Sequence, residues 1–92
     1  MSESAFLRYE QGEFFYLGYK LSLGRAEHAV LLTLWRSNGM SFDTYALADA
    51  CGVSVSNIAS TVASVNQKAM AIGGRKMILS GRAEGYRLAE SL

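Results

Sequence analysis

The sequence predicts an α+β fold with an N-terminal antiparallel β-sheet, three helices and a C-terminal β-hairpin. Three observations predict it. Between residues 5 and 23, short apolar and aromatic runs are set apart by turn residues, the mark of strands. Apolar residues then recur at helical spacing through three segments, the longest running from Val53 to Met70. After a Gly73-Gly74 break comes a short stretch, basic except at its turn, that closes on Gly85-Tyr86-Arg87-Leu88. Long helix, break and basic hairpin are laid out as in a winged helix-turn-helix. That layout sets a rod of the width of the DNA major groove beside a cationic loop.

The strands are expected at Ala5–Tyr9, Phe14–Leu17 and Tyr19–Leu23, with Gln11-Gly12 as a turn and Tyr19, Leu21 and Leu23 alternating against Lys20 and Ser22. Six aromatics crowd this sheet (Phe6, Tyr9, Phe14, Phe15, Tyr16 and Tyr19), more than one face of three short strands can bury. They read as core plus amphipathic tyrosines, with an apolar patch for a partner or a dimer as the other reading. Residues 24–37 form the first helix. Gly24 stands at its N-cap, Glu27 three residues on favours the positive end of the helix, and Val30, Leu31, Leu34 and Trp35 form its apolar stripe. Asn38-Gly39 ends it. His28, with no partner cluster, reads as packing or surface rather than as a ligand or base. Asp43 is placed to cap a second helix over 44–50, with Leu47 and Ala50 inward. Ser54 or Ser56 is expected to cap the third helix, 55–72, by accepting from its free N–H groups. Ile58, Val62, Val65 and Ala69 share one sector of that helix. Ser60, Ala63, Ser64 and Gln67 lie opposite, flanked by Asn57 and Lys68. A wing hairpin over 75–90 completes the chain, with strands Met77–Ser80 and Gly85–Leu88 about a turn at Gly81–Glu84.

Ninety-two residues are read as a single domain over 1–92 with one core. One cysteine, Cys51, makes no internal disulfide, and no zinc-ligand spacing occurs. The opening Met-Ser-Glu-Ser is polar and acidic, unlike a secretory signal, and no apolar run approaches the ~20 residues that span a bilayer. The expectation is a reduced cytoplasmic protein with no membrane contact. One histidine, one cysteine and eight scattered carboxylates, without a glycine-rich phosphate loop, argue against an enzyme, a metal site or a cofactor. Net charge is +1 but uneven. Residues 1–52 hold four basic and six acidic side chains, and residues 53–92 hold five and two. Such asymmetry steers a polyanion toward one end.

The spacing from Ala48 through Gly52 to Ile58 suits a helix-turn-helix. A small residue lets two helices approach, a glycine takes the turn, and an aliphatic residue plugs the core. With the wing, the chain resembles the effector domain of OmpR/PhoB-type response regulators. The resemblance spans residues 5–90 in element order. Leu23 and Glu27 match the family's Leu-Thr-x-x-Glu opening of the first helix, with Gly24 in place of Thr, and Asn38-Gly39 matches the turn that follows. Ile78-Leu79-Ser80-Gly81-Arg82-Ala83-Glu84-Gly85-Tyr86-Arg87-Leu88 matches the closing Ile-x-Thr-Val-Arg-Gly-x-Gly-Tyr-Arg-Leu. The resemblance implies a DNA-binding regulator of a two-component system, with Ser80, Arg82 and Tyr86 as wing contacts. In the family this domain usually follows a phosphorylatable receiver domain. The 92 residues hold none, which leaves an excised domain and a stand-alone relative both open.

Two departures from the family pattern bear on binding. Where its recognition helix is rich in arginine and lysine, this chain has Thr61, Ala63, Ser64, Asn66 and Gln67, with Lys68 remaining. The loop before that helix, which the family turns toward RNA polymerase, is cut to Gly52-Val53-Ser54. Each lost phosphate contact flattens the salt dependence of binding by about one unit of slope. Asn, Gln, Ser and Thr still read bases, so Ser56, Asn57, Ser60, Thr61, Ser64 and Gln67 are the expected major-groove contacts. Lys68, Arg75, Lys76 and Arg82 are expected at phosphates or the minor groove. Double-stranded DNA is the expected partner. A homodimer through the N-terminal sheet or the recognition face would strengthen weak half-site binding. A receiver domain and RNA polymerase are further partners that the resemblance implies. The competing reading is a degenerate winged helix that acts as a protein-interaction or dimerisation module, since fold does not fix function.

Overall fold

The computed structural model describes residues 7–37, 39–81 and 85–89. Strands β1 (Leu7–Glu10), β2 (Glu13–Tyr16) and β3 (Tyr19–Lys20) form an antiparallel sheet in that order. The two links are two-residue turns with both central residues at positive φ: Gln11-Gly12 at 53° and 80°, Leu17-Gly18 at 53° and 87°. That is the turn geometry whose twist matches a hairpin. The third strand is shorter than the alternation suggests and stops at Lys20. Leu21 still donates its N–H to Phe14 O (2.9 Å) and is buried, but Tyr19 lies at the sheet edge and is 63% exposed.

Two of the sheet's aromatics pack on the first helix, α1 (Arg25–Arg36). Tyr9 and Phe14 stack with each other and with His28 and Trp35, at ring separations of 4.6 to 6.2 Å. His28 Nε2–H donates to the Gly12 carbonyl (3.0 Å), so this histidine ties the first turn to α1. Phe15 lies under the Arg8 guanidinium, and Phe6 lies outside the described residues.

Helix α2 (Thr44–Cys51) starts as its sequence indicates, with the Asp43 carboxylate accepting from Ala46 N at 2.7 Å. Its inward residues are Leu47 and Ala48, while Ala50, expected inward, faces out. The small side chain at 48 lets α2 approach α3, and a rotation of two residues carries Ala50 to the far side. Helix α3 (Val55–Gly73) follows after Gly52-Val53-Ser54, turned 86° from α2. Ser54 takes the N-cap position, but its hydroxyl caps nothing; its backbone carbonyl accepts from Asn57 N at 2.9 Å. Gly74, left-handed, ends the helix one residue past the expected stop.

Strands β4 (Ile78–Gly81) and β5 (Gly85–Leu88) pair as an antiparallel hairpin. Strand β5, at its end next to the turn, is seated against the segment before α2, where Phe42 N donates to Tyr86 O (2.9 Å) and Tyr86 N to Phe42 O (2.7 Å). Gly85 makes that contact possible: a Cβ there would stand 2.2 Å from Phe42 O, and its φ is +76°. One core joins Leu7, Phe14 and Tyr16 of the sheet to Val30, Leu31 and Leu34 of α1. It continues through Leu47 of α2 and Ile58, Val62, Val65 and Ala69 of α3 to Met77, Ile78 and Leu88 of the hairpin. Among the described residues, no single helix is long and apolar enough to cross a membrane.

Candidate nucleic-acid interface

Helix α3 is packed on one side only. Its inward residues are Ile58, Thr61, Val62, Val65, Asn66 and Ala69. Facing outward are Ser56, Asn57, Ala59, Ser60, Ala63, Gln67 and Met70, all exposed and none covered by another element. Of the expected contacts on this helix, Ser56, Asn57, Ser60 and Gln67 therefore share an open face. Ser60 bonds only its own helix, its hydroxyl donating to Asn57 O at 3.1 Å.

Thr61 does not join them. It is 8% exposed and lies in the core stripe, three residues after Ile58 and four before Val65. That spacing was the signal against it, since i+3 and i+4 share a helix face.

Ser64 and Lys68 stand on the flank that faces the start of α1, where Glu27 engages both. The Ser64 hydroxyl donates to Glu27 Oε2, and Lys68 Nζ donates to Glu27 Oε1 (2.6 Å) and to the Ser22 carbonyl (2.6 Å). Gly24 N adds a third donor to the Glu27 carboxylate at 2.8 Å. Burial alone would raise the Glu27 pKa. The hydrogen bonds from Lys68, Ser64 and Gly24, with the Lys68 charge, outweigh it and hold the carboxyl at about 2. The single charge of α3 is thus neutralised in place.

The wing is fixed to α3 by a residue at one of the positions that match the family's recognition helix. Asn66, 8% exposed, turns inward; its Oδ1 accepts from Met77 N (2.9 Å) and Ile78 N (2.8 Å), and its Nδ2 donates to Ile78 O (3.0 Å). Its signal was its place four residues after Val62 on the stripe. Arg75 and Lys76, immediately before these bonds, are exposed at the junction of helix and wing. On the hairpin, Ser80 lies opposite Tyr86 in register; Ser80 is exposed and Tyr86 half-buried. Arg82 lies outside the described residues. Among the described residues, no group of three or more His, Cys, Asp or Glu side chains is placed to hold a metal ion.

The overall fold recurs in solved structures. The DNA-binding domain of response regulator AdeR, in complex with an intercistronic region, superposes with a TM-score of 0.81 at 17% identity over 96% of this chain and 97% of that one. The fold is that of a response-regulator DNA-binding domain. A streptococcal redox sensor, of a family evolved from two-component response regulators, matches at TM-score 0.80 and 17% identity over 97% of this chain. A RitR mutant matches at TM-score 0.79 and 17% identity over 96% of this chain. The chain spans 42% of the length of each of these two longer proteins. No protein-family model and no curated protein matches the sequence.

Proposed function

We propose that this chain binds double-stranded DNA as a transcription regulator in the cytoplasm, with α3 in the major groove and the hairpin on the adjacent backbone or minor groove. The observation that carries the reading is the uncovered outer face of α3, held at a fixed angle to the wing in a fold shared with the AdeR domain. Ser56, Asn57, Ser60 and Gln67 meet base edges. Arg75 and Lys76 meet phosphates where the helix gives way to the wing, and Arg82, Ser80 and Tyr86 act from the wing itself. Ser64 and Lys68 contribute through Glu27 by holding the helix flank, and Lys68 adds little net charge while it is paired. Residues 1–92 act as one winged-helix unit.

A fluorescence-anisotropy titration on mixed-sequence duplex at low salt tests this reading. Saturable binding is expected, weakened roughly uniformly across sequences when Arg75, Lys76 or Arg82 is changed to alanine. Flat curves at high protein concentration would defeat it.

A further inference from the structure

Lys68 is the only charged side chain in α3, and Glu27 with the Ser22 carbonyl draws its ammonium to the flank beside α1. What faces outward is therefore free of cations: the carboxamides of Asn57 and Gln67, the hydroxyls of Ser56 and Ser60, the methyls of Ala59 and Ala63, and Met70.

The major groove distinguishes these chemistries. Guanine shows two acceptors, N7 and O6, which a guanidinium or ammonium matches. Adenine shows an acceptor beside a donor, N7 and N6, which a carboxamide matches with its own donor and acceptor. Thymine shows a methyl group, against which a small apolar side chain packs. The outer face of α3 carries the second and third kinds of group and none of the first. Serine hydroxyls serve any base and so discriminate little.

Resting on the DNA-binding reading above, we propose that this face selects A·T over G·C base pairs through the major groove. Gln67 is the discriminating residue. It lies one turn beyond Ala63 on the same face, so its carboxamide can meet adenine N6 and N7 while the Ala63 methyl meets a thymine methyl at a neighbouring pair. Asn57 makes the same kind of contact near the start of the helix. Discrimination then comes from paired hydrogen bonds and methyl packing, and the charges at Arg75 and Lys76 add affinity without sequence choice.

The test is selection of bound sites by the whole chain from a random-sequence duplex pool at low salt, followed by anisotropy titrations of the enriched site. The same site is then made with deoxyuridine in place of thymidine, which removes only the major-groove methyl. The expected result is enrichment of A·T or T·A pairs, severalfold weaker binding to the uridine duplex, and loss of about tenfold discrimination at one position in Gln67→Ala. Gln67 is exposed, and Gln67→Arg should move the preference at that position to G·C. Sites specified by guanine, or indifference to uridine, would overturn the inference while DNA binding stands. If no duplex is retained, the DNA-binding reading itself falls, and the inference with it.

Discussion

Asn66 clasps Ile78 through both ends of its amide, with Oδ1 accepting from Ile78 N (2.8 Å) and Nδ2 donating to Ile78 O (3.0 Å). Met77 N makes a third bond to the same oxygen at 2.9 Å. One buried side chain on α3 thus satisfies three backbone groups of the strand that opens the wing. Replacement by alanine leaves two donors and one acceptor of the main chain without this partner. Orphaned buried groups cost about 1–3 kcal/mol each, and partial solvation on relaxation offsets some of that. Asn66→Ala is expected to lose about 3 kcal/mol in urea denaturation, whereas the exposed neighbour Gln67→Ala should stay within about 0.5 kcal/mol.

The Glu27 cluster makes stability fall in acid. Its carboxyl is held at about 2 in the folded chain against an ordinary 4.5, so the unfolded chain takes up the proton first. The stabilisation is complete above about pH 4.5 and is lost as pH falls from there toward 2. The shift sets a ceiling of about 3 kcal/mol, and water at the 37% exposed Lys68 brings it nearer ~1–2 kcal/mol. Urea midpoints measured between pH 6 and pH 2.5 should show this slope, and Glu27→Gln should lose that share of it.

The same substitution releases Lys68. An ammonium no longer neutralised by Glu27 is available to a phosphate, so Glu27→Gln should steepen the salt dependence of duplex binding by about 0.9 in slope. Anisotropy titrations at several salt concentrations read that value directly, and an unchanged slope would mean that Lys68 stays clear of the DNA.

Two glycines with similar backbone angles should differ sharply in their tolerance of alanine. Gly52 has φ +72° and nothing within 4 Å of an added Cβ, so Gly52→Ala should cost only the left-handed penalty of about 1 kcal/mol. Gly85 has φ +76° and the Phe42 carbonyl 2.2 Å away, an obstacle made of backbone. Gly85→Ala adds overpacking of roughly 1–3 kcal/mol and breaks the Phe42–Tyr86 pair. Thermal melts of the two variants should separate by several degrees.

The pattern of elements was legible in the sequence because each rests on local signals. Asp43 caps α2 through its own side chain, Gly74 ends α3, and the stripe Ile58, Val62, Val65 and Ala69 marks the buried side of α3. What stayed hidden depends on partners remote in sequence. Lys68 and Glu27 are 41 residues apart, and no periodicity links them. Ala48, the small residue of the helix-turn-helix spacing, is buried, whereas Ala50 two residues on faces out, a helix phase that three alanines in a short helix do not fix. Thr61 and Asn66 were readable in principle, since both sit at stripe spacing. The family pattern sets both at recognition positions, but a carboxamide whose Oδ1 and Nδ2 both have backbone partners is readily buried.

The most direct test of the central claim is a ¹⁵N-HSQC titration of the chain with duplex DNA at low salt. The expected result is shift changes at Ser56, Ser60, Ala63 and Gln67 and at Arg75–Met77, with β1, β2 and β3 unmoved. Shifts confined to the N-terminal sheet, or none at saturating DNA, would contradict it.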